Sequence, residues 1–342
     1  MSVIRIVILA GGRAVFRILF VITVAGLVPQ ISAQTPLPRF VTTSVPDSLP
    51  DPTHPALLGP SSPARLELGR KLFFERRLSS GNDTACADCH VPEHGFADAR
   101  PQSIGTGGQV IALNAPTLFN RYLGSSFMWD GRFDSLEQQT LAPIDNPQEM
   151  GLGVDRALTW LRDNAGYQAA FRAAWPPQGR IGREELAGSL AHFIRHIRIG
   201  DSPVDRYQWG DDHDLTGSEI RGFQLYSGRA QCWRCHLGAD YTDEHFHATG
   251  IGAEGDGIPH PGRYLVTDDV RDLGRFKTPT LRGLAFTAPY MHDGSKKTLR
   301  AVVDFYAEGG QPNSNLDPEV FKLRLSERDR EDLVAFLLAL SR

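Results

Sequence analysis

The chain has 342 residues, a formal net charge of −4 and no block of like charges, which excludes the basic surface of a nucleic-acid binder or of a protein held to anionic lipid. Its four cysteines are too few for a disulfide-built scaffold, and its length suffices for two domains of ordinary size. In chain order, Arg5, Arg13 and Arg17 precede an apolar run at 18–28. A spanning helix needs about 20 apolar residues. Residues 1–33 therefore read as a secretory signal peptide cleaved near Ala33, after Ile31-Ser32, and no stable membrane anchor is expected. Residues 34–60 are rich in proline (Pro36, Pro38, Pro46, Pro50, Pro52, Pro55, Pro60) and read as an extended lead-in.

Ser62-Pro63 places an N-cap before proline at the first helical position, and the helix then carries Leu66, Leu68, Leu72 and Phe73. It leads to Cys86-Ala87-Asp88-Cys89-His90. Two cysteines separated by two residues and followed at once by histidine form an attachment site for c-type haem. The thiols become thioether links, and the histidine is placed to ligate the iron. A second copy, Cys232-Trp233-Arg234-Cys235-His236, uses the remaining two cysteines. A zinc half-site or a redox dithiol also pairs cysteines, but neither asks for a histidine directly after each pair. Two covalently bound haem c groups are expected, held by Cys86, Cys89, Cys232 and Cys235, with His90 and His236 on the irons. Such attachment takes place outside the cytoplasm, in agreement with export.

The chain repeats itself. Thr216-Gly217-Ser218-Glu219 fits a capping box ahead of Ile220, Phe223, Leu225 and Tyr226, and the pattern Gly-x-x-Leu-aromatic occurs at 69–73 and again at 222–226. Downstream, Pro116-Thr117-Leu118 recurs as Pro279-Thr280-Leu281, an offset of 163. The same offset carries Met128-Trp129-Asp130-Gly131 onto Met291-His292-Asp293-Gly294, and Ser135-Leu136 onto Thr298-Leu299. Matched spacing argues for duplication. The expected fold is mainly α, a tandem of duplicated cytochrome c-like haem domains at 61–205 and 206–342. A helix over 183–199, with Leu186, Leu190, Ile194 and Ile197 on one stripe, would close the first, and a helix capped by Ser326, with Leu333, Phe336, Leu337 and Leu340 inward, the second. The offset also lands Pro143 on Tyr306, in a helix capped by Thr298, with Leu299, Val302 and Val303 on the same face and Gly309-Gly310 at its end. Proline cannot ligate iron, whereas tyrosine can. Tyr306 is thus a candidate ligand of the second iron, with His292 and Met291 as competitors.

These residues resemble the bacterial di-haem cytochrome c peroxidases and their MauG-like relatives. The resemblance runs from Leu68-Gly69-Arg70-Lys71-Leu72-Phe73 to the last helix. It rests on Ala115-Pro116-Thr117-Leu118, Trp129-Asp130-Gly131-Arg132, Asn146-Pro147-Gln148-Glu149-Met150-Gly151, Gly274-Arg275-Phe276-Lys277 and Pro289-Tyr290-Met291-His292-Asp293-Gly294. It implies a periplasmic enzyme acting on hydrogen peroxide at the first haem, with electrons taken up or stored at the second. By motif position Glu149 is similar to the family's acid/base, Gln139 to its hydrogen-bonding companion, and Trp129 to the tryptophan between the haems. Asn114, with the carbonyls of Thr287 and Pro289, matches the family's calcium site, and oxygen ligands suit calcium. Many relatives carry a distal histidine in a Ser-Ile-Gly-His loop, whereas here the loop is Ser103-Ile104-Gly105-Thr106, which implies an open first iron, as in the MauG-like group. Tyrosine in place of methionine at 306 points the same way, and implies a second haem that is hard to reduce.

The remaining histidines suggest less. His94 lies four residues after His90 on the proximal side. His192 and His196, spaced for one helix face, have no evident third metal ligand and read as a partly exposed face. His245, His247 and His260 are assigned no ligand role. Two function classes compete: a peroxide-using oxidoreductase, served by a small redox protein or oxidising a partner protein, and a non-catalytic di-haem electron carrier. The carrier would need both irons six-coordinate and no use for Glu149. MauG carries a surface tryptophan just before its second haem motif, where this chain has Ala230; Trp233 is the remaining candidate for an exit role.

Overall fold

The computed structural model describes residues 38–51, 62–211, 213–253, 257 and 260–342. The expected signal peptide and part of the lead-in lie outside the described residues. Eleven α-helices are described: α1 Pro63–Phe73, α2 Cys86–Cys89, α3 Leu136–Asp145, α4 Val154–Asp163, α5 Ala165–Ala174, α6 Arg183–Ile194, α7 Pro203–Gln208, α8 Gly217–Ser227, α9 Tyr264–Thr267, α10 Leu299–Ala307 and α11 Glu327–Ala339. A single antiparallel pair, β1 Phe246–His247 with β2 Phe276–Lys277, is the one sheet among the described residues. The fold is mainly helical.

Helix starts follow their capping chemistry. The Ser62 hydroxyl accepts from Arg65 N with Pro63 at the first position, and Thr216 with Glu219 forms the capping box of α8. Ser326 caps α11 in the same way with Asp329. The repeated glycines have a packing cause. A Cβ on Gly69 would stand 2.1 Å from Ser189 O and 2.8 Å from Phe193 Cβ, and one on Gly222 would stand 2.0 Å from Asp332 O and 2.7 Å from Phe336 Cβ. Each glycine therefore lets its helix sit against another, α1 on α6 and α8 on α11, with a fully buried phenylalanine opposite. The buried apolar residues fall into two clusters, one drawn from 41–199 and the other from 204–340.

The 163-residue repeat is visible in the backbone. Antiparallel bridges pair Phe127 with Phe133 and Tyr290 with Lys296, and within each loop methionine and glycine take the left-handed conformation, Met128 and Gly131, Met291 and Gly294. Ser135 and Thr298 then cap α3 and α10.

Two expectations are corrected. The helix expected over 183–199 ends at Ile194; Ile197 is buried, but in an extended segment bridged to Val41. The described part of the lead-in supplies that partner, with Thr42 N bonded to His196 O and Arg198 N to Phe40 O, so it is docked on the core. His192 and His196 are buried, not partly exposed, with ring centroids 4.6 Å apart and His196 Nδ1 2.7 Å from His192 O.

Candidate active site

One cavity of about 570 Å³ reaches both haem motifs. Cys86, Cys89, His90, Asn114, Trp129, Gln139, Glu149, Cys232, Cys235, His236, Thr287, Pro289 and Tyr306 all line it, so the structure brings every site residue expected from the sequence to one space. His94 and His245 do not line it; His94 is exposed on the turn after the first motif.

The donor set fits haem. His90 Nδ1 lies 3.0 Å from Phe96 O and His236 Nδ1 lies 3.0 Å from Tyr241 O. A carbonyl can only accept, so each Nδ1 carries the ring proton and each Nε2 is left as the bare lone pair that a metal requires. Burial pulls both imidazoles below their ordinary pKa, which favours the same neutral form. Burial also pushes Cys86 up to about 12, Cys89 to about 11 and Cys232 to about 12. A redox dithiol needs its thiolate stabilised. Burial thus disfavours the thiolate at these three positions, which suits an attachment point better than a redox dithiol.

The loop carrying Glu149 is fixed by the end of α3. The last carbonyls of a helix lack intrahelical donors, and this loop provides them: Asn146 N bonds to Ala142 O, Met150 N to Pro143 O at 3.1 Å and Gly153 N to Ile144 O at 2.9 Å. Glu149 is half-buried and receives a hydrogen bond from Asn146 Nδ2 at 2.8 Å. Burial raises its carboxyl above the ordinary value, against the opposing pull of the Asn146 amide and of Arg132. Gln139 on α3 turns its amide toward Met128 Sδ, 3.8 Å away. Thr106 faces away from the cavity and donates its hydroxyl to Asp83.

Between the motifs, Trp129 donates its indole N–H to Asn114 O at 2.8 Å. Its repeat equivalent, His292, lies beside it with ring centroids 6.4 Å apart and stacks on Phe276 at 3.6 Å. The two equivalent residues therefore meet face to edge, a contact the sequence reading did not anticipate. Asn114 Nδ2 donates to Arg100 O, which leaves its Oδ1 for another partner. On α10, Tyr306 faces the cavity, and Pro143 faces it from the equivalent place on α3.

Two clusters have no signature in the sequence. Beside Cys235, His247 is held between Asp243 at 2.9 Å and Asp317 at 2.7 Å. Deeper in the fold, Arg121 pairs with Asp240 and Glu244, and Lys277 with Glu244; both cations line the cavity. Asp240 also accepts from Asn120, 120 residues away, and from Thr280, 40 residues away.

A family model for di-haem cytochrome c peroxidases matches residues 63–213. The chain is 37% identical over 292 residues to the methylamine utilization protein MauG of Methylorubrum extorquens, covering 85% of this chain and 81% of that protein. The chain belongs to the di-haem cytochrome c peroxidase family. It is 32% identical to the cytochrome c551 peroxidase of Pseudomonas aeruginosa, over 82% of this chain and 80% of that one. Among solved structures, a MauG-like protein associated with microbial copper homeostasis superposes with a TM-score of 0.79 at 31% identity, covering 88% of this chain and 95% of that one. Membership of a di-haem family implies two haem c groups and makes the chain a peroxidase-type or MauG-like oxidoreductase.

Proposed function

We propose that this chain is a periplasmic enzyme that reduces hydrogen peroxide at the site of Cys86, Cys89 and His90, with Glu149 as acid/base, and shares oxidising equivalents through Trp129 with the site of Cys232, Cys235 and His236. Bound haem would supply an iron with one open position at the first site and a second redox centre at the other. Cleaving the O–O bond requires a proton to leave one oxygen and arrive on the other. Glu149 is suited to both transfers: it lines the cavity, Asn146 holds one carboxyl oxygen, and burial brings its proton affinity toward neutral pH. Gln139 would orient the peroxide from α3. Trp129, fixed through its N–H and edge-on to His292, would carry charge between the sites. The electrons come from a small redox protein or from a protein substrate.

For the second iron, Tyr306 is favoured over His292, because His292 is already stacked on Phe276 and set against Trp129. A calcium ion held by Asn114 Oδ1 and the carbonyls of Thr287 and Pro289 belongs to the same reading; its support is that the Asn114 amide nitrogen is already engaged by Arg100 O.

The observation that carries this function is the half-buried Glu149 carboxyl, held by Asn146 Nδ2, in the cavity of the first motif. The deciding measurement is steady-state peroxide reduction by Glu149→Gln holoprotein with both haems attached. Turnover within about twofold of wild type would remove Glu149 from the chemistry.

A further inference from the structure

Three loops that the sequence separates are tied together next to the first haem motif. The first, residues 79–84, leads directly into Cys86; the second is 103–109; the third, 146–151, carries Glu149. The first and third are joined by backbone, with Ser80 N bonded to Met150 O at 2.8 Å and Ser79 bridged to Gly151. The second meets the third at very close range. Thr106 N donates to Glu149 O at 2.7 Å, and a Cβ on Gly105 would stand 2.0 Å from Gln148 O, so only glycine allows this approach.

The first and second loops are joined around the Asp83 carboxylate and the Thr106 hydroxyl. Asp83 Oδ1 accepts from the Thr106 hydroxyl at 2.8 Å, and Asp83 Oδ2 accepts from Gly107 N at 3.1 Å. The Thr106 hydroxyl in turn accepts from Gly81 N at 3.1 Å, and the Thr84 hydroxyl donates to Asp83 at 3.0 Å. Hydrogen bonds to an ionised carboxylate are the stronger kind. Gly107 and Gly108 both take positive φ and have no neighbour where a side chain would stand, so this turn has no packing to hold it. Asp83 is exposed and lines no part of the cavity.

We propose that Asp83 is a positioning residue: through Thr106 and Gly107 it clamps the 103–109 loop onto the Glu149 backbone and so sets where the Glu149 carboxyl stands in the cavity. The inference rests on the role given above to Glu149, but its first test does not need peroxide.

That test is amide hydrogen exchange on the ferric holoprotein. Asp83→Asn and Thr106→Val should each speed exchange across 103–109 and 146–151 at least tenfold, and leave α10 unchanged. The double variant should add little to either single one, because Asp83→Asn weakens the carboxylate that holds Thr106 and Gly107 while Thr106→Val removes the hydroxyl between Asp83 and Gly81, and all of these bonds belong to one junction. Thr106→Ser keeps the hydroxyl and should behave as wild type. The second readout is the pH profile of peroxide reduction, whose acid limb should move in Asp83→Asn and Thr106→Val and return in Thr106→Ser. Unchanged exchange in both variants overturns the clamp, as does a serine variant as damaged as the valine one. Faster exchange with an unmoved acid limb overturns the positioning of Glu149. The separate result that Glu149→Gln still turns over peroxide would sink the role of Glu149 and leave the exchange outcome to decide the clamp.

Discussion

The two halves of the molecule repeat their backbone around each haem motif and part company on one helix. In both, a histidine Nδ1 donates to a carbonyl a few residues downstream, and a threonine hydroxyl, that of Thr117 or Thr280, ties the following segment to the motif loop through Gly95 O or Asp240 O. Both contain a bridged loop with left-handed methionine and glycine, followed by a hydroxyl-capped helix. The first of those helices, α3, presents Pro143 and Gln139 to the cavity and is closed by the loop of Glu149; the second, α10, presents Tyr306. The second helix ends on Gly309 and Gly310, whose amides bond back to Tyr306 O and Phe305 O. The shared part is backbone geometry, and the divergent part is a few side chains aimed into the cavity. A scaffold duplicated in this way keeps its backbone while the side chains facing the cavity differ between the halves.

The sharpest way to break this division is Glu149→Gln. Acid/base groups contribute about 10²–10⁴-fold, and a loss of that size in peroxide reduction is expected, with the spectrum of the second haem unchanged. The sign of the pH dependence follows from burial. The raised carboxyl must be ionised to accept the first proton, so wild-type rates should fall as pH drops through a value above the ordinary carboxyl range. A rate profile flat down to pH 4 would put the proton elsewhere.

Next in size is Tyr306→Phe, which tests the second half alone. The ferric spectrum and reduction potential of the second haem should change and those of the first should not. If neither changes, Tyr306 is not the ligand and His292 has to leave its stack on Phe276 to become one. A related outcome concerns the first half. Thr106 is turned away from the cavity and engaged by Asp83, so fully ferric protein should react with peroxide in stopped-flow mixing without prior reduction. A requirement for half-reduction would contradict an open first iron.

How much of this was legible depends on whether the cause was local. Caps, haem motifs and the 163-residue register are local patterns, and the backbone reproduces them down to the left-handed methionines. The end of α6 was not legible, because Ile197 continues the apolar spacing of a helix while its actual partner, Val41, lies in the distant lead-in. The burial of His192 and His196 was hidden for the same reason: polar residues on a helix read as solvent-facing until the covering segment is known. The Arg121–Asp240–Glu244–Lys277 cluster joins three remote segments, and no periodicity announces it. Within the site, the offset marks Trp129 and His292 as equivalent positions, but that they touch depends on how the two loops pack.

Smaller effects test whether the two halves are equivalent as structures. Gly69→Ala and Gly222→Ala each force a methyl into backbone oxygen and a phenylalanine. Overpacking of this kind typically costs about 1–3 kcal/mol, and both variants should fall in that range by denaturant unfolding of holoprotein. A large cost at one glycine and none at the other would show that the shared pattern serves only one helix crossing.

The smallest expected effects come from the two caps. Ser135 Oγ accepts from Gln138 N at 3.2 Å and Thr298 Oγ1 accepts from Ala301 N at 3.1 Å, at equivalent positions opening α3 and α10. Replacing an N-cap serine or threonine by alanine costs about 0.5–2 kcal/mol, so Ser135→Ala and Thr298→Ala should each lower stability by about 1 kcal/mol. Their local consequences should differ, because the helices are closed differently. In the first half the far end of α3 is held by three amides of the Glu149 loop, so loss of the cap should loosen the start of the helix and leave peroxide turnover within about twofold. In the second half α10 has only nine residues and carries Tyr306 in its last turn. Fraying from the start should therefore reach Tyr306 and broaden or shift the spectrum of the second haem. The comparison is made on the same two samples, by unfolding and by ferric absorption. A Thr298→Ala spectrum identical to wild type, at the expected loss of stability, would mean that Tyr306 is held by its surroundings and not by the helix that carries it.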